Sequence, residues 1–229
     1  NCDVWARSGE CKKNPMYMFS ECSEECHMLG IKNQEYSEKC AKINDTEALL
    51  PFTLNKLFRN IPNKFKYLTP EIVSDDPPII VFDNFASDEE CDAFIEYASG
   101  KYTRSTGLKV EDGKISSVET PIRTSLNTWC QTPQCMDNIH IKSVTSRVSA
   151  VTEIPEVNFE YAQLLYYFAC VNETSDDCSF YKKHHDFIPE QFNLNSGVRV
   201  MTCFIYLNDV DEGGFTVFET GISIQPKKR

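Results

Sequence analysis

Apolar residues recur along the chain in two rhythms. Between Ser87 and Gly100 they fall at helical spacing, as Cys91, Phe94, Ile95 and Ala98. They follow Ser87-Asp88-Glu89-Glu90, in which Ser and Glu stand three residues apart in the form of a capping box. A helix is predicted there, closed by Gly100. A second is predicted over residues 137–151, where Ile141, Val144, Val148 and Val151 share a face. Ile79-Ile80-Val81-Phe82 reads as a strand. After residue 151 the pattern becomes extended: segments 160–168, 179–187, 198–208 and 215–224 are rich in aromatic and branched residues and are divided by Gly or Asn turns. Helices followed by many strands predict an α+β domain whose C-terminal part is a sandwich or jelly roll.

The first forty residues break this picture. They hold five of the eleven cysteines, Cys2, Cys11, Cys22, Cys26 and Cys40, with few aliphatic residues, so they cannot build a core and must be stapled. Residues 41–76 are mixed in character and punctuated by Pro51, Pro62 and Pro70, which predicts a linker with one short helix. The predicted organisation is a cysteine-rich module (1–40), a linker (41–76) and a larger domain (77–229).

Eleven cysteines in 229 residues, unevenly spaced, point to disulfides and an oxidising compartment. Cys130 with Cys135, and Cys170 with Cys178, bracket short polar loops and are predicted to be local bridges. The odd total leaves at least one thiol unpaired or paired outside the chain, and Cys203, inside an apolar strand pattern, is the candidate. The sequons at Asn44 and Asn172 are consistent with glycosylation in the same compartment. A net charge of −11 argues against nucleic acid as the main partner. No stretch approaches the roughly 20 apolar residues that span a bilayer, so no membrane segment is expected in this chain. The opening Asn1-Cys2-Asp3 has neither an initiator Met nor a signal-like apolar run, and implies release from a longer precursor.

Histidines occur only at positions 27, 140, 184 and 185, so any histidine-dependent site centres on Tyr181-Lys182-Lys183-His184-His185-Asp186. In a strand, His184 and Asp186 point to one face and His185 to the other. One imidazole and one carboxylate form two-thirds of a facial triad, the arrangement that leaves positions on ferrous iron open. The competing reading is a polar surface strand.

Longer motifs carry two resemblances. Cys2-Asp3-Val4-Trp5-Ala6-Arg7-Ser8-Gly9-Glu10-Cys11, then Asn14-Pro15-Met16-Tyr17-Met18, Cys22 and Cys26, resembles the ShK toxin-like domain over about thirty residues. That resemblance implies bridges Cys2–Cys22 and Cys11–Cys26, with both ends of the family's remaining bridge missing. Gln163-Leu164-Leu165-Tyr166-Tyr167, Tyr181-x-x-His184-x-Asp186, Arg199-x-x-Thr202-x-x-Ile205-Tyr206-Leu207-Asn208-Asp209-Val210-x-Glu212-Gly213-Gly214-x-Thr216 and the upstream Arg123-Thr124-Ser125 resemble the prolyl 4-hydroxylase group of iron and 2-oxoglutarate dioxygenases. This second likeness covers residues 79–229.

The dioxygenase resemblance implies a double-stranded β-helix, Fe(II), 2-oxoglutarate and ascorbate, hydroxylation of peptidyl proline, and residence in the endoplasmic reticulum lumen or secretion. It makes His184 and Asp186 metal ligands, Tyr167 and Thr216 contacts to 2-oxoglutarate, and Arg123 and Arg199 neighbours of a proline-containing peptide. For each arginine a solvated or ion-paired surface role competes. Tyr181 fits a place beside the iron or the core face of its strand. The family continues through two further strands bearing a second iron histidine and a basic residue for the distal carboxylate, and neither has a counterpart among these 229 residues. The chain alone is therefore expected to be an incomplete enzyme. A related enzyme acting on lysine would keep the same ligands. The rival from another class is a non-catalytic peptide-binding or channel-directed protein in which the oxygenase part is a structural remnant.

Overall fold

Residues 2–13, 18, 22–29, 48–50, 52–111, 114–170, 178–189, 191 and 198–228 are described by a computed structural model of the chain. Two units divide between Glu47 and Ala48. In the first, helices α1 (Cys2–Arg7), α2 (Glu10–Lys13) and α3 (Ser23–Met28) surround a core of Ala6, Cys11, Met18, Cys22 and Cys26. Four of these five core members are sulfur-bearing, and bridges Cys2–Cys22 and Cys11–Cys26 close the unit. Helices of four to six residues have no independent stability, so the bridges do the holding. Asn14 to Tyr17, Cys40 and the Asn44 sequon lie outside the described residues.

The second unit starts inside the segment read from sequence as a linker. Helix α4 (Leu54–Lys64) places Leu57 and Ile61 on one face, and Phe65 and Leu68 continue that face into the main core. Fully burying an aliphatic or aromatic side chain is worth about 1.5–3 kcal/mol, so these four residues bind α4 firmly to the unit. Strand β1 (Pro70–Asp75) follows and pairs antiparallel with β2 (Pro78–Phe82). Residues 54–75 are thus packed structure, with Pro62 inside α4 and Pro70 at the start of β1.

Helix α5 (Asp88–Ala98) begins at a complete capping box: Ser87 Oγ accepts from the Glu90 N–H, and Glu90 accepts from the Ser87 N–H at 2.9 Å. Strands β3 (Thr103–Arg104), β4 (Gly107–Glu111), β5 (Lys114–Val118) and β6 (Leu126–Trp129) occupy a stretch in which the sequence pattern announced no strand. Cys130–Cys135 then ties β6 to the short helix α6 (Pro133–Met136). Helix α7 (Ile139–Thr152) starts where Asn138 Oδ1 accepts from the N–H groups of His140 and Ile141, and it packs Ile141, Val144 and Val151 into the core.

Strand β7 (Gln163–Tyr166) joins β6 and β3 in an antiparallel sheet of order β3-β6-β7. This sheet is the platform of the candidate site, with Tyr167 at the exit of β7. The segment read as one strand over 215–224 is a hairpin, β8 (Thr216–Val217) and β9 (Ser223–Ile224), turned at Gly221, whose φ of 86° suits glycine. Segments 179–187 and 198–208 run without a sheet ladder. The first makes a single bridge, Arg123 to Tyr181, and the second has no ladder partner among the described residues. A strand requires a neighbour to take its N–H and C=O groups, which an apolar pattern alone does not provide. The architecture is mixed helix and antiparallel sheet, and the described residues do not complete a double-stranded β-helix.

Candidate functional site

Residues 180–186 are fastened to the platform by their backbone. Thr124 N–H donates to the Phe180 carbonyl at 2.7 Å, and Lys182 N–H donates to that of Ile122 at 2.8 Å. Thr124 Oγ1 also accepts from the Phe180 N–H at 2.7 Å. Past Lys182 the chain bends, and His184 turns back so that Nδ1 lies 2.7 Å from the Lys182 carbonyl oxygen. The opposite nitrogen, Nε2, faces Asp186 Oδ1 at 3.2 Å. His184 and Asp186 therefore meet through a bend and not through the strand alternation read from sequence.

Asp186 is held from its other oxygen by Thr202, whose hydroxyl donates to Oδ2 at 2.7 Å. The hydrogen bond from His184, that from Thr202 and the nearby Arg199 charge outweigh burial and hold the Asp186 carboxyl down to about 2. The same hydrogen bond to Asp186 raises the His184 pKa. With Nδ1–H donated to a backbone carbonyl, the Nε2 lone pair of a neutral imidazole points at an ionised carboxylate. Two acceptors so close call for a cation between them, either a proton on Nε2 or a metal ion. That donor set, a borderline nitrogen and a hard oxygen, suits ferrous iron. Among the described residues no group of three His, Cys, Asp or Glu side chains converges as a metal cluster, so the pair supplies two ligands.

His185 lies elsewhere. Lys183 Nζ and Glu219 form an ion pair at 2.6 Å, and His185 adds to the positive field that lowers the Glu219 pKa. The ring of Tyr181 stacks on His184, centroids 3.5 Å apart, and the Arg123 guanidinium lies 4.5 Å from the other ring, that of Tyr181. Burial raises the Tyr167 hydroxyl pKa, against the pull of Arg123 and Ser125. Arg199 makes two hydrogen bonds to Glu160, at 2.5 and 2.9 Å. Thr216 belongs to another group, its hydroxyl 2.7 Å from that of Tyr206.

Of the residues singled out in sequence, His184, Asp186, Arg123, Arg199, Tyr167 and Tyr181 thus interact within one neighbourhood. Thr202 and Glu160 complete it, and sequence reasoning assigned neither a role. For Thr202 the available signal was its place three residues after Arg199, while Glu160 carries no local signal. The Asn172 sequon lies outside the described residues, although Cys170 and Cys178, which flank it, are bridged.

Comparison with known proteins bears on this geometry. The chain is similar to prolyl 4-hydroxylases. Probable prolyl 4-hydroxylase 8 of Arabidopsis thaliana is 32% identical over 180 residues, covering 69% of this chain and 58% of that protein. Probable prolyl 4-hydroxylases 7 and 3 of the same plant are each 36% identical, over 62% and 65% of this chain and 41% and 47% of their own lengths. The chain spans about half the length of the curated relatives it matches. No protein-family model matches it. Among the described residues four disulfides fit the secretory pathway, and no helix is long and apolar enough to cross a membrane.

Proposed function

We propose that this chain belongs to an iron- and 2-oxoglutarate-dependent dioxygenase that hydroxylates peptidyl proline in the secretory pathway, in the endoplasmic reticulum lumen or after secretion. The observation that carries the reading is the His184 Nε2 to Asp186 Oδ1 approach at 3.2 Å, with Nδ1 and Oδ2 each occupied by a separate partner. Similarity to several prolyl 4-hydroxylases supports the reaction class. On this reading His184 and Asp186 hold the iron, and Thr202 and the Lys182 carbonyl orient them. Iron with 2-oxoglutarate supplies, when bound, the oxidising power needed at an unactivated C–H bond, and ascorbate keeps the metal reduced. Tyr167 and Thr216 are assigned to 2-oxoglutarate. Arg123 and Arg199 flank the path of the peptide. The first unit is assigned as a separable ShK-like module.

The test has two parts. Binding of Fe(II) or Mn(II) by the chain is expected to be weak and to disappear in Asp186→Ala, since two protein ligands hold a metal less well than three. The full-length protein is expected to add one oxygen atom to a proline-rich peptide, with succinate released in equal amount. A chain that binds no divalent metal, or a full-length protein that consumes 2-oxoglutarate without modifying proline, would sink the proposal.

A further inference from the structure

Arg123 is costly to keep where it is. It is 8% exposed, its Nε has no hydrogen-bond partner among the described residues, and its two remaining nitrogens make only long bonds, both 3.3 Å, to the Thr106 carbonyl and Gln163 Oε1. A buried donor left unpaired is destabilising, so fold stability alone does not explain an arginine here. What the side chain does achieve is a cation–π contact. Its guanidinium carbon lies over the Tyr181 ring, 4.5 Å from the centroid, and the same ring stacks on the His184 imidazole at an interplanar angle of 19°.

We propose that Arg123 is a positioning residue for His184, acting through the Tyr181 ring on which the imidazole stacks. The use of the stack rests on the metal-binding reading, but its existence does not. The imidazole has two handles. The Lys182 carbonyl takes its Nδ1 edge, and Lys182 is itself fixed through its N–H, which donates to the Ile122 carbonyl. The edge bond still leaves the ring free to rock about the Nδ1–O line, and rocking swings Nε2 away from Asp186. Tyr181 blocks that motion from one face, provided Tyr181 itself cannot tilt. The Arg123–Tyr181 backbone bridge holds the base of the tyrosine, and the guanidinium holds its ring. Lysine could supply the charge but not the plane.

The experiment reads the His184 ring protons by NMR in the metal-free chain, at the alkaline plateau where the imidazole is neutral, together with Co(II) affinity. In the wild type these protons are expected upfield of those of the other histidines, because they lie over the Tyr181 ring. Arg123→Met is expected to move them downfield and to weaken Co(II) binding about tenfold, the lower end of what lost outer-sphere support costs. Tyr181→Leu should do the same, and the double variant little more, since both act through one stack. If Arg123→Met does not fold, Arg123→Lys decides: it keeps the charge, and the proposal expects it still to lose the upfield shift. Unmoved His184 resonances in either variant, or a lysine variant that retains both readouts, would overturn the proposal. If the wild type binds no Co(II), the metal reading fails while the ring-proton shifts still test the stack.

Discussion

Asp186 shows how one carboxylate is made ready for a cation by its neighbours. One oxygen faces His184, the other accepts from Thr202, and Arg199 adds charge from beyond hydrogen-bonding distance. Removing the carboxylate leaves a single imidazole, so Asp186→Ala should abolish divalent-metal binding in a calorimetric titration. His185→Ala should leave it nearly unchanged, because His185 sits in the field of Glu219. Equal losses from the two variants would contradict the bend at His184. A second carboxylate matters for stability. Glu90 is buried and takes two hydrogen bonds at 2.8 Å from Arg147, which also donates to the Phe85 carbonyl. Those bonds from Arg147 lower its pKa from 4.5 to about 2 in the folded chain. The folded state therefore holds this proton less tightly than the unfolded one, and the stabilisation is complete above the unfolded value and is lost as pH falls towards 2. Glu90→Gln should lower stability by about 3 kcal/mol, the lower end for breaking one side of a buried pair, with the deficit shrinking in acid urea melts. A deficit that stays constant down to pH 2 would show that the pair is not the cause.

At the scale of elements, helices were legible and sheets largely were not. The helices over 88–98 and 139–152 follow from local chemistry: a cap residue, an apolar stripe, and a terminating Gly100 or the left-handed Glu153. Each signal lies within one element. Strands β3 to β6 have no signal in the sequence because their pairing depends on partners that no local period records, and the aromatic and branched residues of 198–208 promise a ladder that the described residues do not supply. The site divides the same way. His184-x-Asp186 is visible as a spacing, whereas Thr202 and Glu160 reach it from segments brought close only by folding. The caps can be tested directly. Asn138→Ala removes the acceptor for two orphan N–H groups of α7 and should cost about 1 kcal/mol in the urea midpoint. Asn138→Asp, which keeps the acceptor, should cost little. Equal losses from both would assign Asn138 a role other than capping.

For the whole molecule the question is where one folding unit stops and the next begins. Prolines at 51, 62 and 70 suggested a long connection, but burial of Leu57, Ile61, Phe65 and Leu68 places the boundary earlier, consistent with the division between Glu47 and Ala48. The two units also keep their structure by different means. The first relies on Cys2–Cys22 and Cys11–Cys26, whereas the second has a core of aliphatic and aromatic side chains in which Cys130–Cys135 is one small part. Limited proteolysis of the oxidised chain is therefore expected to cut N-terminal to Leu54 and to spare residues 54–75, because cleavage there would first have to expose four buried side chains. Non-reducing maps of the products should show the bridges Cys2–Cys22, Cys11–Cys26, Cys130–Cys135 and Cys170–Cys178, with thiols at Cys91 and Cys203. Mild reduction should then unfold the first unit at a reductant concentration that leaves the thermal transition of the second nearly in place. Early cleavage within 54–64 would show that α4 is only loosely held and that the linker does extend to residue 76. Loss of both transitions together on reduction would show instead that the second unit, too, depends on its disulfides.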